Sequence, residues 1–138
     1  MACPTLAARQ LRALLSKATC TPLPGAYNGL CGRAVADAGF DACYVSGAAV
    51  SAAAGVPDVG VPSLAAFTRA IAEVSAASGL PVFADADTGF THEGNCPSQT
   101  VAAYAHAGAA GLHFEDQVFP KRWSLRGVWR RAPASATP

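Results

Sequence analysis

Apolar residues occur along the chain in two patterns, a helical spacing and short continuous runs typical of buried strands. The helical spacing predicts a first helix behind a Thr5 cap and a second that ends at Gly39. A third helix runs from a Ser63 cap to Gly79, and a fourth begins at Pro97 and stops at Gly108. The apolar residues that recur at helical spacing are Ala7, Leu11, Leu14, Leu15 and Ala18; Tyr27, Leu30, Cys31, Ala34, Val35 and Ala38; Leu64, Phe67, Ile71 and Val74; and Val101, Tyr104 and Ala105.

Short, uniformly apolar runs lie between these helices and predict strands. They cover residues 40–46, 80–84 and 110–114, and a further strand is expected near residues 21–23. Strands that are apolar on both faces and joined by helices form parallel sheets, so the predicted fold class is α/β. Proteins of this class bind ligands at the carboxyl ends of their strands.

Acidic residues cluster where two predicted strands end. Asp85 and Asp87 are separated by one residue, Glu115 and Asp116 follow the next strand, and Asp58 lies in a loop. Carboxylates placed this closely repel one another unless a cation lies between them or one is protonated. The pattern favours Mg²⁺ or Mn²⁺, which prefer oxygen ligands. The alternative is that each acid caps the helix after its strand, and it remains open above all for Asp116.

Two further features lie at these strand ends. Ser46, Gly47 and Ala48 offer backbone N–H groups that could hold a substrate carboxylate, although Ser-Gly is also an ordinary turn. His113 precedes Glu115 by two residues, so both side chains belong to the same strand face. It could therefore reach the acidic site, although a lone strand histidine is more often a core residue.

Composition limits the class of protein. The 138 residues suit one domain, and 51% hydrophobic with 14% charged residues excludes a wholly disordered chain or a coiled coil. The longest apolar stretch without a charge, residues 42–57, is shorter than the ~20 residues of a membrane span. The five cysteines include no C-x-x-C pair, which favours free thiols over disulfides or zinc.

Charge is distributed unevenly. Residues 121–138 hold five of the ten basic residues and no acid. With Trp123 and Trp129 this tail could bind nucleic acid or anionic lipid, but a basic composition also arises without selection, and we expect neither partner. No secretory signal is visible, so a cytoplasmic location is expected. Because residues 1–36 lack acids, a mitochondrial transit peptide remains an alternative.

Several separated motifs resemble the isocitrate lyase and phosphoenolpyruvate mutase superfamily, in the order and spacing that the family has. The form of the last motif is most similar to that of 2-methylisocitrate lyases. The motifs are Leu-Pro-Gly-Ala-Tyr at residues 23–27, Tyr-Val-Ser-Gly at 44–47, Leu-Pro-Val-Phe-Ala-Asp-Ala-Asp-Thr-Gly-Phe at 80–90 and His-Phe-Glu-Asp-Gln-Val-Phe-Pro-Lys-Arg at 113–122.

The resemblance implies a (β/α)₈ barrel and a Mg²⁺-dependent carbon–carbon lyase that cleaves 2-methylisocitrate to pyruvate and succinate. It also implies a small 2-hydroxy or keto acid as substrate and, in full-length relatives, a homo-oligomer. The roles it implies are metal binding for Asp85, Asp87 and Glu115; substrate binding for Tyr44, Ser46, Gly47 and Ala48; and catalysis for Asp58, His113, Lys121 and Arg122, the last two at the start of a mobile loop.

The sequence departs from the family pattern after Arg122. The family's proton-donating Cys and its following Gly-His are replaced by Trp123, Ser124 and Leu125. Residues 1–122 therefore predict about the first four βα units of a barrel that takes about 250 residues. Residues 123–138 are expected to be a divergent, disordered basic tail.

This departure leaves several functions open. We hypothesise a truncated, frame-shifted or alternatively spliced lyase, which would be an inactive fragment or a subunit that co-assembles with intact copies. An oxaloacetate decarboxylase or a phosphoenolpyruvate mutase-type enzyme is the alternative activity.

Overall fold

A computed structural model describes residues 5–116 of the chain. Five α-helices, three strands and one 3₁₀ helix alternate along these residues. The helices are α1 (Leu6–Leu15), α2 (Gly29–Asp37), α3 (Gly47–Ala53), α4 (Leu64–Ser78) and α5 (Pro97–His106); the strands are β1 (Cys43–Val45), β2 (Val82–Asp85) and β3 (Ala109–His113); the 3₁₀ helix is Thr91–Glu93.

The three strands form one parallel sheet in the order β1-β2-β3. Gly25 adds a fourth parallel element through a single bridge to Tyr44 beside β1. The α/β class with a parallel sheet is therefore confirmed. The strand expected at residues 21–23 is wrong in position, because the backbone pairs with β1 later in the chain, through Pro24 and Ala26.

The predicted caps of α1 and α4 are confirmed, whereas the helical positions predicted for Ala18 and Tyr27 are wrong, because both residues lie outside α1 and α2. Thr5 and Ser63 accept hydrogen bonds from the backbone N–H groups of Ala8 and Ala66, at 3.2 and 3.3 Å. Gly79 ends α4 in the left-handed conformation, with φ of +67°, which costs a residue without a Cβ little. Helix α3 was not predicted, since its short run of Ala and Val residues has no polar face that would mark a helical period.

The hydrophobic core lies between one face of the sheet and the helices. Strand residues Cys43, Val45, Val82 and Ala84 are fully buried on this face. Helix α4 supplies the largest share of the opposing side chains, and α2 packs against α4. The buried helix residues that belong to this core are Val35, Val50, Phe67, Ala70, Ile71, Val74 and Tyr104.

The other face of the sheet carries Tyr44 and Phe83, which are half-buried. Helix α1 covers part of it, with Leu11 lying against Gly111 of β3. A Cβ at Gly111 would come within 2.9 Å of the Leu11 side chain and 3.0 Å of Phe83. The absence of a side chain at residue 111 therefore lets α1 approach the sheet.

Within residues 5–116, no helix is long and apolar enough to cross a membrane. Cys20, Cys31, Cys43 and Cys96 are free thiols, as the sequence predicted. The expected basic tail at residues 123–138 lies outside the described part of the chain.

Replacing Ile71 with Ala is expected to lower the free energy of unfolding by about 2–5 kcal/mol, because Ile71 is fully buried between α4 and the sheet. Leu30→Ala is the control, since Leu30 is 80% exposed and its loss should change stability by less than about 0.5 kcal/mol. Urea denaturation at constant m-value measures both. Equal losses for the two variants would contradict this core.

Candidate active site

Three carboxylates meet at the carboxyl end of the sheet. Asp85 ends β2, Asp87 follows it by two residues, and Glu115 lies two residues beyond β3. One oxygen of each lies within 4.8 Å of the other two, so a single cation could contact all three. Asp85 and Asp87 are only 6% and 3% exposed, and Glu115 is half-buried.

The strand register brings these residues together. Asp85 of β2 is the direct partner of His113 of β3. Pairing continues beyond the strands, because Ala86 donates its N–H to the His113 carbonyl at 3.0 Å and Glu115 donates to the Asp87 carbonyl at 2.7 Å. Residues 30 positions apart in sequence thus reach the same edge, where parallel strands place their ligand sites.

The carboxylate of Asp85 is held by two backbone N–H groups. Gly47, the first residue of α3, donates to one oxygen at 3.1 Å, and Asp87 donates to the other at 2.9 Å. A Cβ at Gly47 would lie 2.7 Å from Asp85 Oδ2 and 3.4 Å from Asp87 Oδ1. Asp85 does not cap a helix after its own strand, as the capping alternative required, because the N–H group that it accepts from begins α3, which follows β1.

This arrangement fits a divalent cation. Two neighbouring carboxylates that are nearly fully buried repel each other and lose hydration, and a cation between them would offset both costs. The donor set is all oxygen, which Mg²⁺ and Mn²⁺ prefer.

An aromatic cluster lies beside the carboxylates. Tyr44 Oη and His113 Nε2 are 2.9 Å apart, and the two rings are stacked with centroids 5.9 Å apart. Phe83 contacts both rings, at centroid distances of 6.1 and 5.5 Å. Because Asp85 is the register partner of His113, the polar pair faces the same side of the sheet as the acidic cluster. His113 is thus half-buried beside the acidic cluster and does not belong to the hydrophobic core.

The remaining predicted site residues lie on α3, in the loop after it, and beyond residue 116. Ser46 is the N-cap of α3 without using its hydroxyl as a cap, and Ala48 is exposed in the first turn of the same helix. Asp58 is half-buried in the loop between α3 and α4, and it does not belong to the three-carboxylate cluster found within residues 5–116. Lys121 and Arg122 lie outside the described residues.

Two hydroxyl groups behind the acidic cluster were not predicted as site residues. The hydroxyl of Tyr104 donates to the Asp85 carbonyl at 2.8 Å, and that of Thr100 donates to the Gly89 carbonyl at 2.7 Å. Burial raises the pKa of Tyr104, and the negative charges of Asp85 and Asp87 raise it further, so the phenol stays protonated and donates. The periodicity of α5 marked Tyr104 as buried, but nothing in the sequence shows which carbonyl it meets.

The family model described as phosphoenolpyruvate phosphomutase matches residues 11–132. The chain belongs to this family. Among curated relatives, a probable 2-methylisocitrate lyase of Corynebacterium glutamicum is 42% identical over 119 residues, which is 86% of this chain and 38% of the relative. The 2,3-dimethylmalate lyase of Eubacterium barkeri is 39% identical over 83% of this chain and 40% of its own length.

Solved structures agree with the sequence matches. A phosphoenolpyruvate phosphomutase from Streptomyces platensis superposes with a TM-score of 0.75 at 35% identity, over 83% of this chain and 39% of that one. A phosphonopyruvate hydrolase in complex with oxalate and Mg²⁺ gives a TM-score of 0.74 at 29% identity, over 85% and 41%. The expected (β/α)₈ family is confirmed, and the chain spans about two fifths of the length of these relatives.

Gly47→Ala is expected to lower the free energy of unfolding by about 1–3 kcal/mol, because the added methyl group would displace the Asp85 carboxylate. Helix propensity alone predicts the opposite sign, since Ala stabilises a helix over Gly by about 0.5–1 kcal/mol. Ala48→Gly, at the exposed neighbouring position, controls for propensity. Stabilisation by Gly47→Ala in urea denaturation would contradict the close contact.

Proposed function

We propose that this chain forms the metal-binding and part of the substrate-binding site of a Mg²⁺-dependent carbon–carbon lyase. The proposed reaction is cleavage of 2-methylisocitrate to pyruvate and succinate. The observation that carries the proposal is the cluster of the buried Asp85 and Asp87 with the half-buried Glu115, beside the hydrogen-bonded Tyr44–His113 pair. The lyase names of the relatives support the same reaction class.

Asp85, Asp87 and Glu115 would hold the metal, directly or through water. When bound, Mg²⁺ supplies a Lewis acid that lowers the pKa of a chelated substrate hydroxyl and stabilises negative charge on an oxo acid. Asp85 is fixed in orientation by the N–H groups of Gly47 and Asp87, so its carboxylate is already placed before the cation arrives. This preorganisation is what a rigid octahedral ion requires of a protein ligand.

The other residues of the site would bind and orient the substrate. Tyr44 and His113 share one hydrogen bond, which fixes both rings and lets them present polar atoms next to the carboxylates. Backbone N–H groups of Ser46, Gly47 and Ala48 are proposed to receive a substrate carboxylate, because this segment adjoins Asp85. Asp58 is proposed as an acid–base group, carried by the loop after α3.

A second candidate is an enzyme of 2-oxo acids, either an oxaloacetate decarboxylase or a phosphoenolpyruvate mutase-type enzyme. Superposable structures include an oxaloacetate acetylhydrolase with oxalate, at a TM-score of 0.75 and 33% identity, and the phosphonopyruvate hydrolase complex. The proposed partner is in either case a small 2-hydroxy or 2-oxo acid. A cytoplasmic location stays a prediction.

Asp85→Asn and Asp87→Asn are each expected to weaken Mn²⁺ or Mg²⁺ binding by at least about tenfold, because each removes a charged oxygen ligand. Asp37→Asn is the matched control, since Asp37 lies exposed at the end of α2. Isothermal titration and Mn²⁺ electron paramagnetic resonance measure the affinity. Equal affinities for all three variants and the wild type would remove the basis for this metal site.

Release of pyruvate tests the reaction itself. The purified chain is incubated with Mg²⁺ and 2-methylisocitrate or, in a parallel sample, oxaloacetate. Turnover of the first substrate that Asp85→Asn abolishes and Asp37→Asn preserves supports the lyase. Turnover of oxaloacetate alone supports the second candidate. Metal binding without turnover of either would contradict an active enzyme formed by this chain alone and support an inactive fragment or a co-assembling subunit.

A further inference from the structure

Helix α5 contacts residues 85–89 through two side-chain hydrogen bonds to backbone carbonyls. Two of its side chains, Thr100 and Tyr104, are fully buried, and each carries one hydroxyl group. Tyr104 donates to the carbonyl of Asp85 at 2.8 Å, and Thr100 donates to the carbonyl of Gly89 at 2.7 Å. The two bonds thus bracket residues 85–89, which carry both buried aspartates.

We propose that Thr100 and Tyr104 are positioning residues that hold residues 85–89 in the shape required for metal binding. This inference rests on the proposed function of the acidic cluster. Neither side chain would touch the cation or the substrate. Each would act through the backbone that carries Asp85 and Asp87.

The segment needs such support because its backbone is unusual. Asp87 has φ of +46° and Phe90 has φ of +56°, in the left-handed region that non-glycine residues disfavour. Gly89, between them, has φ of +84°. A loop with two such residues persists only where surrounding contacts determine its shape.

The hydrogen bonds from Tyr104 and Thr100 lie next to the residues with left-handed backbone conformations. One lies at the strand end, before the left-handed Asp87, and the other lies at Gly89, just before the left-handed Phe90. Beyond the second bond, the buried Phe90 ring packs edge-on against Phe67 of α4 at a centroid distance of 5.1 Å. Asp87 therefore lies between two hydroxyl anchors, and an aromatic contact closes the segment.

The first experiment measures hydrogen exchange of the metal-free chain in Tyr104→Phe, Thr100→Val and Thr100→Ser. The N–H groups of Ala86, Asp87 and Gly89 are all hydrogen-bonded and report opening of the segment. Losing one buried hydroxyl bond is expected to speed their exchange by about fivefold in Tyr104→Phe and Thr100→Val. Thr100→Ser keeps the hydroxyl and is expected to exchange close to the wild-type rate.

The second experiment measures Mn²⁺ affinity of the same variants by isothermal titration. Groups that orient metal ligands without touching the ion typically change affinity by about 10- to 100-fold when removed. We expect losses of about tenfold in Tyr104→Phe and Thr100→Val, and rescue in Thr100→Ser. Val74→Ala, a buried change in α4 against Gly32 of α2, is the control for general destabilisation and should keep wild-type affinity.

The outcomes separate this inference from the function on which it rests. A wild-type chain that binds no Mn²⁺ overturns the proposed function, and the inference with it. If the wild-type chain binds Mn²⁺ and the Tyr104→Phe and Thr100→Val variants bind it with the same affinity, the positioning role alone is overturned. Equal weakening in Val74→Ala would also overturn it, because stability and not position would then determine affinity.

Discussion

The carboxylates of Asp85 and Asp87 are buried next to each other at the end of one strand. The neighbouring helices hold them there in spite of the free energy that their burial costs. Desolvation and mutual repulsion both disfavour this pair. The first residue of α3 contributes its N–H to Asp85, and the absence of a side chain at Gly47 lets the helix come close enough to do so. Tyr104 of helix α5 donates a hydrogen bond to the backbone carbonyl of the same Asp85. Both helices therefore contribute to the site with backbone or hydroxyl groups, while the charges themselves come from the strand ends.

The two faces of the sheet differ in burial and in the side chains that they carry. One face packs against α2, α4 and α5, with its β1 and β2 residues fully buried and its β3 residues half-buried, and supplies the hydrophobic stabilisation. The other face carries Tyr44, Phe83 and His113, whose rings form a half-buried cluster next to the carboxylates. Successive residues of a strand point to opposite faces, so they alternate between the hydrophobic core and the face that carries the aromatic cluster. A substitution on one face therefore leaves the side chains of the other face in place. The same separation makes the core variant and the site variants independent probes.

The chain belongs to the phosphoenolpyruvate phosphomutase family and shares its arrangement of strands with superposable solved structures over the matched region. The chain spans about two fifths of those relatives. It nevertheless contains an entire three-carboxylate cluster within residues 5–116. Metal binding can thus be examined separately from turnover, and the positioning role of Thr100 and Tyr104 concerns only the former.

The sequence by itself determined the helices with clear caps, the α/β class, the family and the acidic residues of the site. These features depend on local spacing or on contiguous motifs, as with the Ser63 cap, the Gly79 end and the Asp-Ala-Asp run. Only the tertiary structure decided that His113 pairs with Tyr44, that Asp85 binds the N–H of Gly47, and that Gly25 rather than residues 21–23 reaches β1. It also revealed α3 and the hydroxyl bonds from α5. Each of these contacts joins residues distant in sequence or depends on backbone direction, and hydrophobic periodicity carries no information about either.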